Sequence, residues 1–226
     1  MDVYLALLFC SLAALVMYAV DRIFSGNRIR ELQEQARQLG LSFRAKGDPF
    51  ANTAIHGLTL IERDPASIVS NLIEGIVRGF NVTIFDLGHC DESSPVVMYT
   101  TVAAFRCPSG CLPVLDLQLR TLEERLEELL HRRSSERKLC AGGILVEFED
   151  KAQALQFLSD DKMQKLCLHP EHFRIETSHD WLLFFVPGAR VKPRSLRSFV
   201  DLAVDIAVTL MDAKGRMPAA PASARA

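Results

Sequence analysis

The chain has no surplus of charge of either sign: 26 Lys and Arg stand against 28 Asp and Glu in 226 residues, a formal net of −2. That removes the basic excess by which a nucleic-acid binder is recognised, so nucleic acid is not expected as a partner. With hydrophobic residues at 49%, the composition of a disordered protein is missing as well. The phosphate-cradling patterns G-x-x-x-x-G-K-[ST] and G-x-G-x-x-G do not occur, and neither does a G-x-S-x-G elbow or an H-E-x-x-H helix. These absences exclude the commonest nucleotide-binding, serine-hydrolase and zinc-peptidase signatures. The six cysteines lack the dense short spacings of a small secreted scaffold, which suits a reducing compartment.

What is present begins with an uncharged run from Val3 to Val20, V-Y-L-A-L-L-F-C-S-L-A-A-L-V-M-Y-A-V, closed by Asp21-Arg22. As a helix it would reach roughly 27 Å, and Ile23 and Phe24 extend it to the ~30 Å of a hydrocarbon core. Only Asp2 precedes it, and Tyr18-Ala19-Val20-Asp21 is a poor cleavage context, so an uncleaved anchor is favoured over a secretory signal. The residues expected to face lipid are Val3, Leu5, Leu7, Leu8, Phe9, Leu12, Leu15, Val16 and Val20. Arg22, Arg28 and Arg30 follow the run with no Lys or Arg before it. By the rule that cations near a span stay cytoplasmic, the N-terminus is expected outside and the remainder inside the bacterial inner membrane.

The reading divides the chain into an anchor over 1–24, a juxtamembrane helix over 25–40, a single α+β domain over 41–213 and a disordered tail over 214–226. Sub-units at 41–133 and 139–213 are one way of dividing the domain. Ile29, Leu32, Ala36 and Leu39 follow helical spacing, and Gly40 stands where a helix C-terminal glycine belongs. Ser70–Val77, Val82–Leu87 and Val96–Phe105 are β-branched and aromatic stretches joined by short turn-like segments, which predicts an antiparallel meander. Leu112–Leu117 reads as the beginning of a fourth strand, and Leu115, Leu119, Leu122, Leu126 and Leu129 recur in steps of four and three, which predicts an amphipathic helix packed on the sheet. Ile144–Phe148 reads as a strand, Ala152–Phe157 and Asp160–Leu166 as short helices, and Phe173–Thr177 with Trp181–Val186 as a hairpin. A last helix starts after Pro193, with Leu196, Phe199, Val200, Ala203, Ile206, Ala207 and Leu210 on one face. The fold class expected is thus α+β: an N-terminal transmembrane helix, then an antiparallel-sheet domain with packed amphipathic helices.

Two groups of soft ligands carry the only metal or thiol chemistry on offer. Cys167, His169 and His172 lie close in sequence, though zinc would need three or four such groups to converge at about 2.0–2.3 Å. Pro170 makes this a loop, where histidines are more often exposed spectators. Cys107 and Cys111 flank a Pro-Ser-Gly turn, and a C-x-x-x-C is weaker than a C-x-x-C as a redox or metal signal. Glu123-Glu124 and Glu127-Glu128 alternate with arginines and read as a solvated face rather than a catalytic pair. Asn81-Val82-Thr83 matches a glycosylation acceptor but reads as ordinary strand. No cofactor is expected.

The words L-G-L-S-F (Leu39–Phe43), T-V-A-A-F-R (Thr101–Arg106), L-P-V-L-D-L (Leu112–Leu117) and F-R-I-E-T-S-H-D-W-L-L-F-F (Phe173–Phe185), with the N-terminal run and the closing helix, carry a resemblance. The chain resembles a class of uncharacterised bacterial single-pass membrane-anchored proteins with a cytoplasmic α+β domain. The resemblance implies no activity and maps no catalytic residue, and the Cys107/Cys111 pair is not a feature of that class. The function expected is a membrane-anchored, cytoplasmic-facing module that binds a protein partner, or the lipid bilayer surface, without catalysis. The alternatives are a thiol- or metal-dependent enzyme using Cys107/Cys111 or Cys167/His169/His172, and a small-ligand sensor.

Overall fold

The structure is a computed structural model describing residues 9, 12, 15, 26–49, 58–62, 67–90, 97–107, 112–119, 138–141, 144–169 and 172–211. Its frame is one antiparallel sheet of nine strands in the order β1-β2-β3-β4-β9-β8-β5-β7-β6. The strands are β1 (Ser42–Arg44), β2 (Ile68–Val77), β3 (Phe80–Cys90), β4 (Val97–Arg106), β5 (Leu112–Leu119), β6 (Lys138–Ala141), β7 (Ile144–Phe148), β8 (Arg174–His179) and β9 (Trp181–Phe185). The helices are α1 (26–38), α2 (Thr59–Glu62), α3 (Lys151–Phe157), α4 (Asp160–Cys167) and α5 (Leu196–Met211), the last entered through a 3₁₀ turn at Pro193–Ser195.

Local chemistry explains the tight turns. Val77 pairs with Phe80, leaving Arg78 and Gly79 at φ 50 and 85 in a two-residue loop of the kind whose twist matches antiparallel strands. Ser178 pairs with Trp181 in the same way, with His179 at φ 42. At the end of α1, Gly40 adopts φ 71, Gly40 N donates to Arg37 O at 3.1 Å and Leu41 N to Ala36 O at 2.9 Å, the two bonds of a Schellman cap.

The strand faces divide the core in two. Ile73, Val82, Ile84, Ala103, Phe105, Leu117, Ile175 and Phe184 face α1, α3, α4 and α5, whose Leu32, Ala36, Ala154, Leu166 and Phe199 are buried among them. Phe184 lies between Phe173 and Phe199, at ring distances of 5.7 and 5.5 Å. The opposite face carries a smaller cluster of Phe85, Leu87, Val102, Ala104, Trp181, Leu183 and Phe185, packed with Leu58, Leu60 and Ile61 from the α2 region.

Four expectations are corrected. Among the described residues no helix is long and apolar enough to cross a membrane, so the N-terminal transmembrane helix of the expected fold class is withdrawn. With it go the signal-anchor and the single-pass placement in a bacterial inner membrane with an outside N-terminus. The longest described helix, α5, has 16 residues and carries Arg197, Asp201 and Asp205. Of the apolar run only Phe9, Leu12 and Leu15 are described, as exposed helical positions; Val3, Leu5, Leu7, Leu8, Val16, Val20 and Arg22 lie outside the described residues. The helix expected from Leu115 does not start there, because Leu115 and Leu119 belong to β5; Leu122, Leu126 and Leu129 lie outside the described residues, as does the tail over 214–226. Finally, β6 at Lys138–Ala141 stands where no strand was expected before Ile144, and α2 was not anticipated.

Candidate functional site

The most elaborate polar constellation surrounds Asp86 on β3, whose side chain is only 2% exposed. Three strands and two flanking segments converge on it. Thr101, directly across on β4, donates from Oγ1 to Asp86 Oδ1 at 2.6 Å. On β2 the register shifts between Ser70 and Ile73, and within that bulge Asn71 takes φ 56 and donates Nδ2 to Asp86 Oδ2 at 2.9 Å. Asparagine is among the few residues that tolerate such a φ readily.

Two arginines complete the shell. Arg28 of α1 donates from Nε and Nη2 to both carboxylate oxygens at 2.9–3.2 Å, and from Nη1 to Val191 O at 2.8 Å. Every nitrogen of its fork is therefore engaged. Arg190, just after β9, donates only Nε to Asp86 Oδ2, at 3.0 Å, while its guanidinium carbon stands 4.2 Å over the ring of Tyr99. Tyr99 lies across Gly88, where an added Cβ would come within 2.8 Å of Tyr99 Cε1, so glycine is what lets the ring lie flat there. Two cations on one carboxylate leave this corner with a local charge of +1.

A second buried cluster sits on the other face, near the opposite side of the sheet. Glu176 on β8 stands directly opposite Asp116 on β5, which in turn stands opposite Glu147 on β7. Arg174 bridges the first two, pairing with Asp116 through Nε at 2.8 Å and with Glu176 at 3.3 Å. Glu176 also accepts from Thr59 Oγ1 at 2.7 Å and Leu60 N at 2.9 Å, at the start of α2. Burial pushes the Glu176 carboxyl above the usual glutamate range, against the lowering pull of Leu60 N, Thr59 and Arg174. Burial pulls the Arg174 guanidinium down, but Asp116 and Glu176 outweigh it and hold it above its ordinary value.

The residues singled out from sequence fall elsewhere. Cys107 is buried after β4, with its N–H donating to Asp180 O at 2.6 Å; Cys111 lies outside the described residues. Cys167 ends α4 half-buried, and the ring of His169 packs edge-on to Phe173 at 6.2 Å. His172 Nδ1 is buried without a hydrogen-bond partner among the described residues. No three His, Cys, Asp or Glu among the described residues are placed to hold a metal ion. Arg30 is exposed on α1, whereas Arg28, expected only to set topology, is a principal partner of Asp86. Asp86, Arg190, Arg174 and Glu176 were not foreseen, since the contacts Arg28–Asp86, Arg190–Asp86, Arg174–Asp116 and Thr59–Glu176 span 58 to 117 residues and leave no local motif.

A separate open groove of about 420 Å³ runs between β1 and β9, lined chiefly by Ser42, Glu74, Thr83, Arg106 and Trp181. The Arg106 guanidinium lies 6.0 Å from the Trp181 ring.

No family model matches the chain, and no curated protein does. Among solved structures it is similar to the crystal structure of the mycobacterial trehalose monomycolate transport factor A, TtfA. The match has a TM-score of 0.50 and 18% identity, and covers 77% of this chain and 93% of that one. At that identity the likeness speaks for the fold.

Proposed function

We propose that this chain is a binding module without a reaction of its own, which holds another protein through the cationic surface beside Asp86. One observation carries the reading. From Trp181 to Val200 the sequence contains Arg190, Lys192, Arg194 and Arg197 and no acid, and the last three are exposed on a segment fastened to the sheet. Val191 N donates to Thr101 Oγ1 at 2.9 Å and Val191 O receives Arg28, so this strip of charge is held in place instead of swinging freely. A pre-ordered charged surface speeds encounter and loses little entropy on docking. The buried carboxylates Asp86 and Glu176, by contrast, are taken up in tying covering segments to the sheet.

Photo-cross-linking amino acids at Lys192 and Arg194 of the full-length chain in cells test this, with Leu155 and Ile76 as exposed comparison positions. Discrete protein adducts at the first pair alone, lost on Arg194→Glu with Arg197→Glu, are expected. Equal adducts at all four positions, or none, overturn the reading.

A second reading, a small-ligand sensor, is favoured by the groove at Arg106 and Trp181. Native mass spectrometry of the gently purified chain checks it: a bound mass that disappears in Arg106→Ala is the expected sign.

A further inference from the structure

We infer that Arg190 is a preformed carboxylate reader, and that the protein partner presents an acidic side chain or chain terminus to it. This deepens the binding-module reading and rests on it.

The two arginines on Asp86 are used unequally. Arg28 spends all of its fork on the carboxylate and on Val191 O, and its side chain is 15% exposed. Arg190 spends one nitrogen, is 32% exposed, and its Nη1 and Nη2 make no hydrogen bond or ion pair with any described residue. Their common edge is the part of a guanidinium whose two parallel N–H groups match the two oxygens of a carboxylate. A free surface arginine would give up much rotamer freedom to present that edge. Here the Asp86 contact at Nε and the Tyr99 ring 4.2 Å below the plane have already fixed it.

The charge count points the same way. Asp86 cancels one of its two cations, and Lys192, Arg194 and Arg197 follow without an intervening acid, so the corner attracts an anion. A recessed planar fork suits a planar carboxylate. An anionic lipid surface would instead favour protruding cations mixed with apolar side chains. Among the described residues none of Arg190 to Arg197 is an exposed large hydrophobic.

The test uses fluorescein-labelled hexaglutamate and hexaglutamine peptides with the full-length chain at low salt, read by anisotropy. Anionic phosphatidylglycerol vesicles provide the lipid arm. The expected result is that hexaglutamate binds and hexaglutamine does not, and that Arg190→Lys weakens hexaglutamate about tenfold because charge without the fork is insufficient. Tyr99→Leu is expected to weaken it severalfold, while Lys165→Ala, exposed on α4, changes nothing. Arg190→Lys keeps a cation for Asp86, so an unchanged thermal melt separates lost recognition from lost folding.

Undiminished binding by Arg190→Lys, no binding by the parent, or vesicle binding that displaces the peptide overturns the inference. Cross-linked adducts that persist while hexaglutamate binding ignores Arg190 would leave the module reading standing and remove this one. Arg190-dependent peptide binding without any adduct in cells would do the reverse.

Discussion

The two buried charge clusters solve one problem with opposite surpluses. On the α1 face a single carboxylate, Asp86, gathers Arg28 and Arg190; on the α2 face a single guanidinium, that of Arg174, serves Asp116 and Glu176. The cation-rich cluster keeps a spare fork at the surface. The anion-rich one keeps its spare charge inside, and its cost appears as the raised Glu176 carboxyl. Like charges facing each other on neighbouring strands repel, so Arg174 is what permits Glu176 and Asp116 to share a rung. The first cluster is therefore suited to recognition and the second to anchoring α2.

The largest effect expected in separating them is that of Asp86→Ala. It strands two arginines in a corner built around their counter-charge and should lower stability by about 3–5 kcal/mol in urea denaturation. Arg174→Met comes next. It leaves Asp116 and Glu176 facing each other unbridged, with an expected loss of about 3 kcal/mol at pH 7 that shrinks in acid as the raised Glu176 carboxyl protonates. If the two variants cost the same at every pH, the proposed contrast fails.

Glu176→Gln is a finer probe. A carboxyl whose folded pKa exceeds its unfolded value binds more protons in the native state, so its contribution is most favourable below 4.5 and is lost as pH rises through the folded value. The glutamine variant should therefore gain on the parent as pH climbs from 4.5, and parallel stability curves would remove the assignment. Smallest is Gly40→Ala, outside both clusters, expected to cost about 1 kcal/mol by forcing a side chain onto φ 71 at the α1 cap.

Short-range features were readable in the chain. The β2–β4 meander, the β8–β9 hairpin and the glycine stop of α1 each rest on alternation or a turn residue within ten positions. The strand begun at Leu112–Leu117 was readable too, but Leu115 and Leu119 were also drawn into a helix because a spacing of four fits both a helix face and one face of a strand; Leu117 and the alternating Asp116 and Gln118 are the strand signal. The N-terminal run was read by length and lack of charge alone, which say nothing of Arg28 being drawn into the sheet domain. The ion clusters were invisible because each joins segments far apart in sequence, where no spacing rule applies.

The order of strands has a consequence for how the molecule is made. β4 and β5 are consecutive strands of the chain, yet β9 and β8 lie between them in the sheet. During synthesis the middle of the sheet stays a gap until residues 174–185 emerge, with Val102 to Phe105 presenting an unpaired apolar margin in the meantime. The hairpin is a keystone set last, so this protein should reach its native form slowly and only after residues 174–185 have left the ribosome.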